Sequence, residues 1–176
     1  PDPRYLATAI EVVTAAGALQ RARFGSAFKV DKKGTIDLVT EVDVEVERAA
    51  RALLGARFPD HDIMAEELGG GGAGASHRWV FDPLDGTTNF AHGIPIFCSS
   101  LALEIDGEAV VGAVFDPMRQ ELFTAERGVG AWLWLGRTRL VWRTPSPRQV
   151  REPHDGAAFR RTAVRAGTCC PRQACR

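Results

Sequence analysis

No stretch of the 176 residues is apolar for long enough to cross a membrane as a helix. The opening Pro1-Asp2-Pro3-Arg4 carries no signal-peptide pattern, so the cytoplasm is the expected compartment, and Pro1 fits a chain whose initiator Met is absent. Cysteine is scarce: there are four, three of them at Cys169, Cys170 and Cys175, without a Cys-x-x-Cys pair. With only His154 nearby, a zinc site is not expected there. Net charge is also lacking, 22 Lys+Arg standing against 22 Asp+Glu. That balance hides an asymmetry. Residues 1–136 hold 12 basic and 20 acidic residues, whereas 137–176 hold ten Arg, no Lys and two acids. No internal repeat is visible. What is present, 45% hydrophobic and 25% charged residues, is an ordinary globular composition, sufficient for one domain or one domain plus a fragment.

The apolar periodicity predicts two helices followed by strands. Leu6, Ile10, Val13, Ala16 or Gly17, and Leu19 or Gln20 recur at helical spacing over residues 3–24, and Gly25-Ser26 stops the run. A short strand over Ala27–Lys33 and a turn at Gly34 follow. Asp37-Leu38-Val39-Thr40 leads into a second helix, with Thr40 as cap and Asp43 at capping-box spacing. Val42, Val46, Ala49, Leu53 and Leu54 form its expected buried stripe, against Glu41, Glu45, Glu47, Arg48 and Arg51 outside. Phe58-Pro59-Asp60 ends it. His61–Ala65 is a strand running into Glu66-Glu67, and the glycine-rich Gly69–Ser76 is a loop. Segments over Ile96–Ile105, Ala109–Phe115 and Glu121–Thr124 read as an antiparallel meander, with turns at Asp106-Gly107 and Asp116-Pro117. The fold class expected is α+β, a layered α/β sandwich with two helices packed on an antiparallel sheet.

One stretch carries the chemistry. Trp79–Phe90 reads WVFDPLDGTTNF: an apolar strand, Asp82, a turn at Pro83, Asp85, then Gly86-Thr87-Thr88-Asn89. Pro83 removes an N–H and should end the strand at Asp82. The turn can point both carboxylates at one spot. The start of the short helix that follows offers the N–H groups of Gly86, Thr87 and Thr88 to an anion, most commonly phosphate. Two acids beside an anion need a cation between them, and an all-oxygen donor set points to Mg²⁺. Taken singly, Asp43 reads as a helix-start acid and Glu66-Glu67 as solvated loop acids. Taken together with Asp82 and Asp85, they compose a site for hydrolysing phosphate esters. His92 and Cys98 read as loop and core residues rather than ligands or nucleophiles.

The same residues resemble the inositol monophosphatase family of Mg²⁺-dependent, lithium-sensitive phosphatases. WVFDPLDGTTNF resembles the family signature. DLVTEVD (Asp37–Asp43), IMAEE (Ile63–Glu67) and Gly112–Leu133 resemble its other segments in family order, so that the likeness covers about residues 5–133. The resemblance implies two or three Mg²⁺ held by Glu66, Asp82, Asp85 and the Leu84 carbonyl. It implies a phosphate on Gly86, Thr87 and Thr88, with Asp85 in the substrate site. It also implies an attacking water served by Glu66 and the Thr87 hydroxyl, with Asp43 behind that hydroxyl and Glu67 in support. Lys32 matches a basic residue near the metals. The substrate implied is a small phosphorylated polyol such as inositol monophosphate, with nucleotide, fructose and histidinol phosphates served by relatives. A homodimer is implied for the full-length family, with no membrane and no nucleic-acid partner.

The resemblance stops near residue 134. The second α/β layer, a further metal aspartate in a Trp-Asp context and the hydroxyl-recognition residues of the family are not recognisable. Residues 134–176 are an Arg/Cys-rich tail, a frameshifted translation by hypothesis and otherwise a divergent native tail. An Arg-rich tail could bind nucleic acid, and a chain without the second layer could be an inactive fragment with an exposed apolar sheet face. Weak or absent turnover is therefore expected of these 176 residues alone. Translation of the coding DNA in its two other frames tests the frameshift. The hypothesis requires a downstream Trp-Asp segment in one of them.

Overall fold

The computed structural model describes residues 1–26, 30–33, 37–70, 75–136 and 138–142. Helix α1 (Pro3–Arg23) starts where Asp2 accepts the Arg4 amide and Pro3 supplies a pre-set φ. Strands β1 (Val30–Lys33) and β2 (Asp37–Thr40) form an antiparallel pair, so the segment entering the second helix is itself a strand. Helix α2 (Glu41–Arg57) opens with the Thr40/Asp43 capping box. Then come β3 (Asp62–Ala65), β4 (His77–Asp85), α3 (Thr87–Ala91), β5 (Cys98–Ile105), β6 (Glu108–Asp116), β7 (Glu121–Glu126), β8 (Gly130–Leu135) and β9 (Thr138–Trp142). Strands β3 to β9 lie side by side in chain order in one sheet of seven strands. The helices pack on one of its faces, which makes the fold α+β. No described helix is long and apolar enough to cross a membrane.

Five expectations are corrected. The sheet is mixed rather than purely antiparallel, because β3 runs parallel to β4, Ala65 lying opposite Phe81. Strand β4 does not stop at Asp82 but continues through Pro83 to Asp85, with the pairing to β5 slipping between Asp82 and Asp85. A proline is tolerated at such an irregularity because it has no ladder N–H to lose. The buried line of α1 is Ala9, Val12, Val13, Ala16 and Gln20 rather than one through Leu6 and Ile10, which are half-buried. On α2, Ala50 is buried and Ala49 exposed, and Glu47, placed outside by its charge, is fully buried. Finally, β9 adds a strand where the sequence shows no apolar period. Gly136 turns with φ 57°, and the β-prone Thr138, Leu140, Val141 and Trp142 pair with β8. Residues 143–176, most of the Arg/Cys-rich tail, and 71–74 of the glycine-rich loop lie outside the described residues.

The core lies between helices and sheet. Trp79, Phe81, Leu101, Leu103 and Val111 face Ala9, Val12, Val13, Val46 and Leu54. Trp79 is fully buried, and its indole N–H donates to His61 Nδ1 at 3.1 Å, satisfying the one polar atom of the ring. Helix α1 approaches the sheet so closely at Gly17 that a Cβ there would stand 2.4 Å from the Phe115 ring. The β5–β6 hairpin turns on Asp106 (φ 52°) and Gly107 (φ 81°), the pair of left-handed residues that the Asp-Gly dipeptide predicts.

One buried polar residue ties α1 to the chemistry-bearing strand. Gln20, fully buried, donates from Nε2 to the Pro83 carbonyl at 2.7 Å and to the Cys98 carbonyl at 3.3 Å. Pro83 lies in the irregular stretch between Asp82 and Asp85, where β4 has no paired residue on β5, and Cys98 borders it opposite Asp85. Gln20→Ala should leave an unpaired buried acceptor, costing about 2 kcal/mol and lowering Tm by roughly 4–8 °C in a thermal melt.

Candidate metal and phosphate site

The site gathers at the C-terminal ends of β3 and β4 and at the start of α2. Parallel pairing makes this possible. Ala65 is the last residue of β3 and lies opposite Phe81, so Glu66 leaves β3 beside Asp82 of β4. An antiparallel β3 would send Glu66 to the opposite end. The slipped end of β4 then presents Asp82 and Asp85 within one turn. Leu84, with its side chain buried, has its amide on Asp82 Oδ1 at 3.1 Å.

Asp43 is held from three directions. It is buried, and its Oδ2 accepts the Thr40 amide at 2.8 Å and the Thr40 hydroxyl. Its Oδ1 lies 3.0 Å from Thr87 Oγ1, which is also 2.9 Å from the Leu84 carbonyl. A hydroxyl has one proton, so Thr87 satisfies one of these acceptors at a time and keeps its lone pairs for another donor. Gly86 forms the N-cap of α3 with φ 96°, and no side chain caps that helix. A Cβ on Gly86 would stand 3.0 Å from the Ile96 carbonyl, so both the backbone conformation and the space call for glycine. Thr88 is exposed on the first turn of α3, and its carbonyl accepts from His92 Nδ1 at 2.7 Å. His92 is therefore a helix-end residue, turned back on its own loop.

The electrostatics report crowding of like charge. The Asp82 carboxyl is pushed up to about 7, first by burial and then by the negative charges of Glu66 and Asp85, with Asp43 adding to them. Cys98 is half-buried rather than a core residue. Its thiol lies 3.6 Å from Asp85 Oδ2, and burial together with the Asp85 charge pushes it up to about 12, which keeps it protonated. Among the described residues no three His, Cys, Asp or Glu already stand at ligand spacing. The donor chemistry nonetheless fits a hard divalent ion: carboxylates that repel one another until a cation lies between them. Glu66, Asp82, Asp85 and the Leu84 carbonyl are the oxygens that would hold it. The Lys32 side chain lies outside the described residues.

Two supports go beyond the sequence pattern, which places Gln20 within an apolar stripe and Glu47 in solvent. The available signal was positional: Glu47 follows Asp43 by one helical turn on the face of Val46 and Ala50.

The unit is a pair of helices on a sheet whose strand ends crowd acids beside a glycine-started helix. The model of the inositol monophosphatase family matches residues 2–165. The chain belongs to that family. An inositol monophosphatase of Dictyostelium discoideum is 42% identical over 134 residues, 74% of this chain and 49% of the relative. The structure of the extragenic suppressor protein SuhB from Bartonella henselae superposes with a TM-score of 0.70 at 38% identity, over 72% of this chain and 50% of that one. The structure of an IMPase/NADP phosphatase complexed with Mg²⁺ and phosphate gives a TM-score of 0.60 at 28% identity, over 68% and 46%. The chain thus spans about half the length of the relatives it matches.

The raised Asp82 carboxyl predicts a pH dependence. Its folded value of about 7 exceeds the ordinary 3.8, so the folded chain binds this proton more tightly than the unfolded chain. The contribution to stability is complete below about pH 4 and is lost as pH rises through about 7. In metal-free buffer, Asp82→Asn should make the fall in Tm between about pH 5 and 8 shallower than in the wild type, read by scanning fluorimetry. Parallel slopes would mean that Asp82 does not titrate in this range.

Proposed function

We propose that the chain forms the metal- and phosphate-binding part of a Mg²⁺-dependent phosphomonoesterase that hydrolyses a small phosphorylated polyol of the inositol monophosphate type. The observation that carries the reading is the hydrogen bond from Thr87 to the buried, capped Asp43, set next to the Glu66/Asp82/Asp85 acids. Family membership, and the Mg²⁺ and phosphate in the related IMPase/NADP phosphatase, support it. The setting is cytoplasmic, and the family-length protein a homodimer.

The residues divide the work. The N–H groups of Gly86, Thr87 and Thr88 receive the phosphate oxygens at a helix start whose dipole favours negative charge. Glu66, Asp82, Asp85 and the Leu84 carbonyl hold two or three Mg²⁺. Bound Mg²⁺ supplies positive charge to the phosphate and acidifies the attacking water. Thr87 Oγ1 accepts a hydrogen bond from that water while its own proton stays on Asp43 Oδ1, which fixes the water's lone pair toward phosphorus. Asp43 cannot swing away, because its other oxygen is occupied by Thr40. Glu66, exposed at the turn after β3, is the group assigned to take the water's proton. The attack is direct, without a phospho-enzyme.

A second reading has its own observation. The sheet face turned away from the helices carries an apolar groove of about 440 Å³ lined by Ala102, Val114, Phe123 and Leu133 among others, with Phe123 42% exposed. An inactive, self-associating unit fits that face.

Phosphate release from inositol 1-phosphate with and without Mg²⁺ separates the two. Turnover is expected to require Mg²⁺ and to fall at least ~100-fold in Asp85→Asn. A rate unchanged by Asp85→Asn or by chelation would refute the phosphatase reading. No release from a chain that melts cooperatively would favour the inactive unit.

A further inference from the structure

Glu47 is fully buried on α2, an unusual place for a carboxylate, and it takes no part in the chemistry proposed above. Its acceptors point at one short segment. Oε2 receives the Glu67 amide at 2.8 Å, and both oxygens receive the Leu68 amide at 3.1 Å. Arg51, one turn further along α2, donates from Nε to Glu47 Oε1 at 2.8 Å. The same guanidinium reaches the Ile63 carbonyl at 3.4 Å and the Gly69 carbonyl. The chain folds tightly round it: a Cβ on Gly70 would stand 2.5 Å from the Ile63 carbonyl and 3.3 Å from Arg51 Nη1.

We propose that Glu47 and Arg51 are positioning residues that clasp the Glu66–Gly70 turn and thereby set the metal affinity of Glu66. The inference rests on the reading of Glu66 as a metal ligand. The clasp grips the turn by opposite polarities. Glu47 takes the amides just after Glu66, and Arg51 takes carbonyls before and after it. Glu66 itself is exposed and adds to the negative charge that raises Asp82, so the position of its backbone decides how close its carboxylate comes to the other acids. A buried ion pair is a poor means of stabilising a fold, since well-packed apolar residues often do as well. Its contribution here is a fixed backbone under a ligand. Groups behind a metal ligand typically change metal affinity 10- to 100-fold when removed.

Two measurements on the 176-residue chain test this. In Glu47→Gln the amide nitrogen faces two N–H donors, so protection of the Glu67 and Leu68 amides in hydrogen exchange should fall ~10-fold or more without metal. Mg²⁺ affinity by calorimetric titration should weaken ~10- to 100-fold. Arg51→Lys keeps the charge against Glu47 but lacks the fork that spans two carbonyls, so a smaller loss is expected. It also decides the matter if Glu47→Gln does not fold. Unchanged exchange, or lost protection with unchanged Mg²⁺ affinity, would overturn the proposal. If the wild type binds no Mg²⁺, the functional reading fails, and exchange alone decides whether the clasp exists.

Discussion

Mutual repulsion among Asp43, Glu66, Asp82 and Asp85 is the constraint on which the rest of this structure turns. Unit charges a few ångströms apart in a half-buried setting repel by several kcal/mol, and the Asp82 carboxyl is raised first by burial and then by the charges of Glu66, Asp85 and Asp43. Left alone, such groups would splay into solvent. Three of them are steadied by backbone or buried polar contacts. Thr40 caps Asp43, Gln20 holds the Pro83 carbonyl behind Asp82, and Glu47 with Arg51 holds the amides and carbonyls around Glu66. Stability surrendered at the strand ends is recovered in the interior, where the Trp79, Phe81 and Leu101 layer lies against α1 and α2.

Topology explains why these supports converge. Parallel pairing of β3 with β4 brings two strand ends together, and an antiparallel partner would separate them. The slip at Asp82–Asp85 re-aims two carboxylates within one turn, as strand irregularities beside active sites commonly do. The capped start of α2 then delivers Asp43 to the same place, linked across 44 residues of sequence to Thr87. None of these devices does the chemistry. Together they determine which oxygen atoms face a common space.

Much of this was legible in the residues. The Thr40/Asp43 spacing announced the capping box, Asp106-Gly107 the hairpin, and Gly86-Thr87-Thr88 the start of a short helix. These signals are local, so they survive without knowledge of the partners. What escaped depends on partners far away in sequence. A charge predicts solvent for Glu47, because the amides that make its burial tolerable lie 20 residues on, in a turn with no regular pattern. Gln20 likewise looked like a gap in an apolar stripe until the Pro83 carbonyl, 63 residues away, came to it. Pro83 was read as a strand end because a missing N–H ends regular pairing. At a slipped register there is no pairing to end, so the strand runs through it.

Phosphate handling and substrate choice are physically separable here. Every group argued to hold metal, phosphate or the attacking water comes from segments between Thr40 and Thr88, and each is braced by α1, α2 or the first strands of the sheet. The groove on the face that lies away from the helices is mostly apolar. Ala102, Val114, Phe123 and Leu133 line it, around the exposed ring of Phe123. A surface of that kind favours contact with other apolar surface rather than with hydroxyl groups. On the proposed phosphatase reading, that apolar face contributes little to telling one phosphorylated polyol from another. The relatives, about twice as long, have the additional chain in which such recognition can lie.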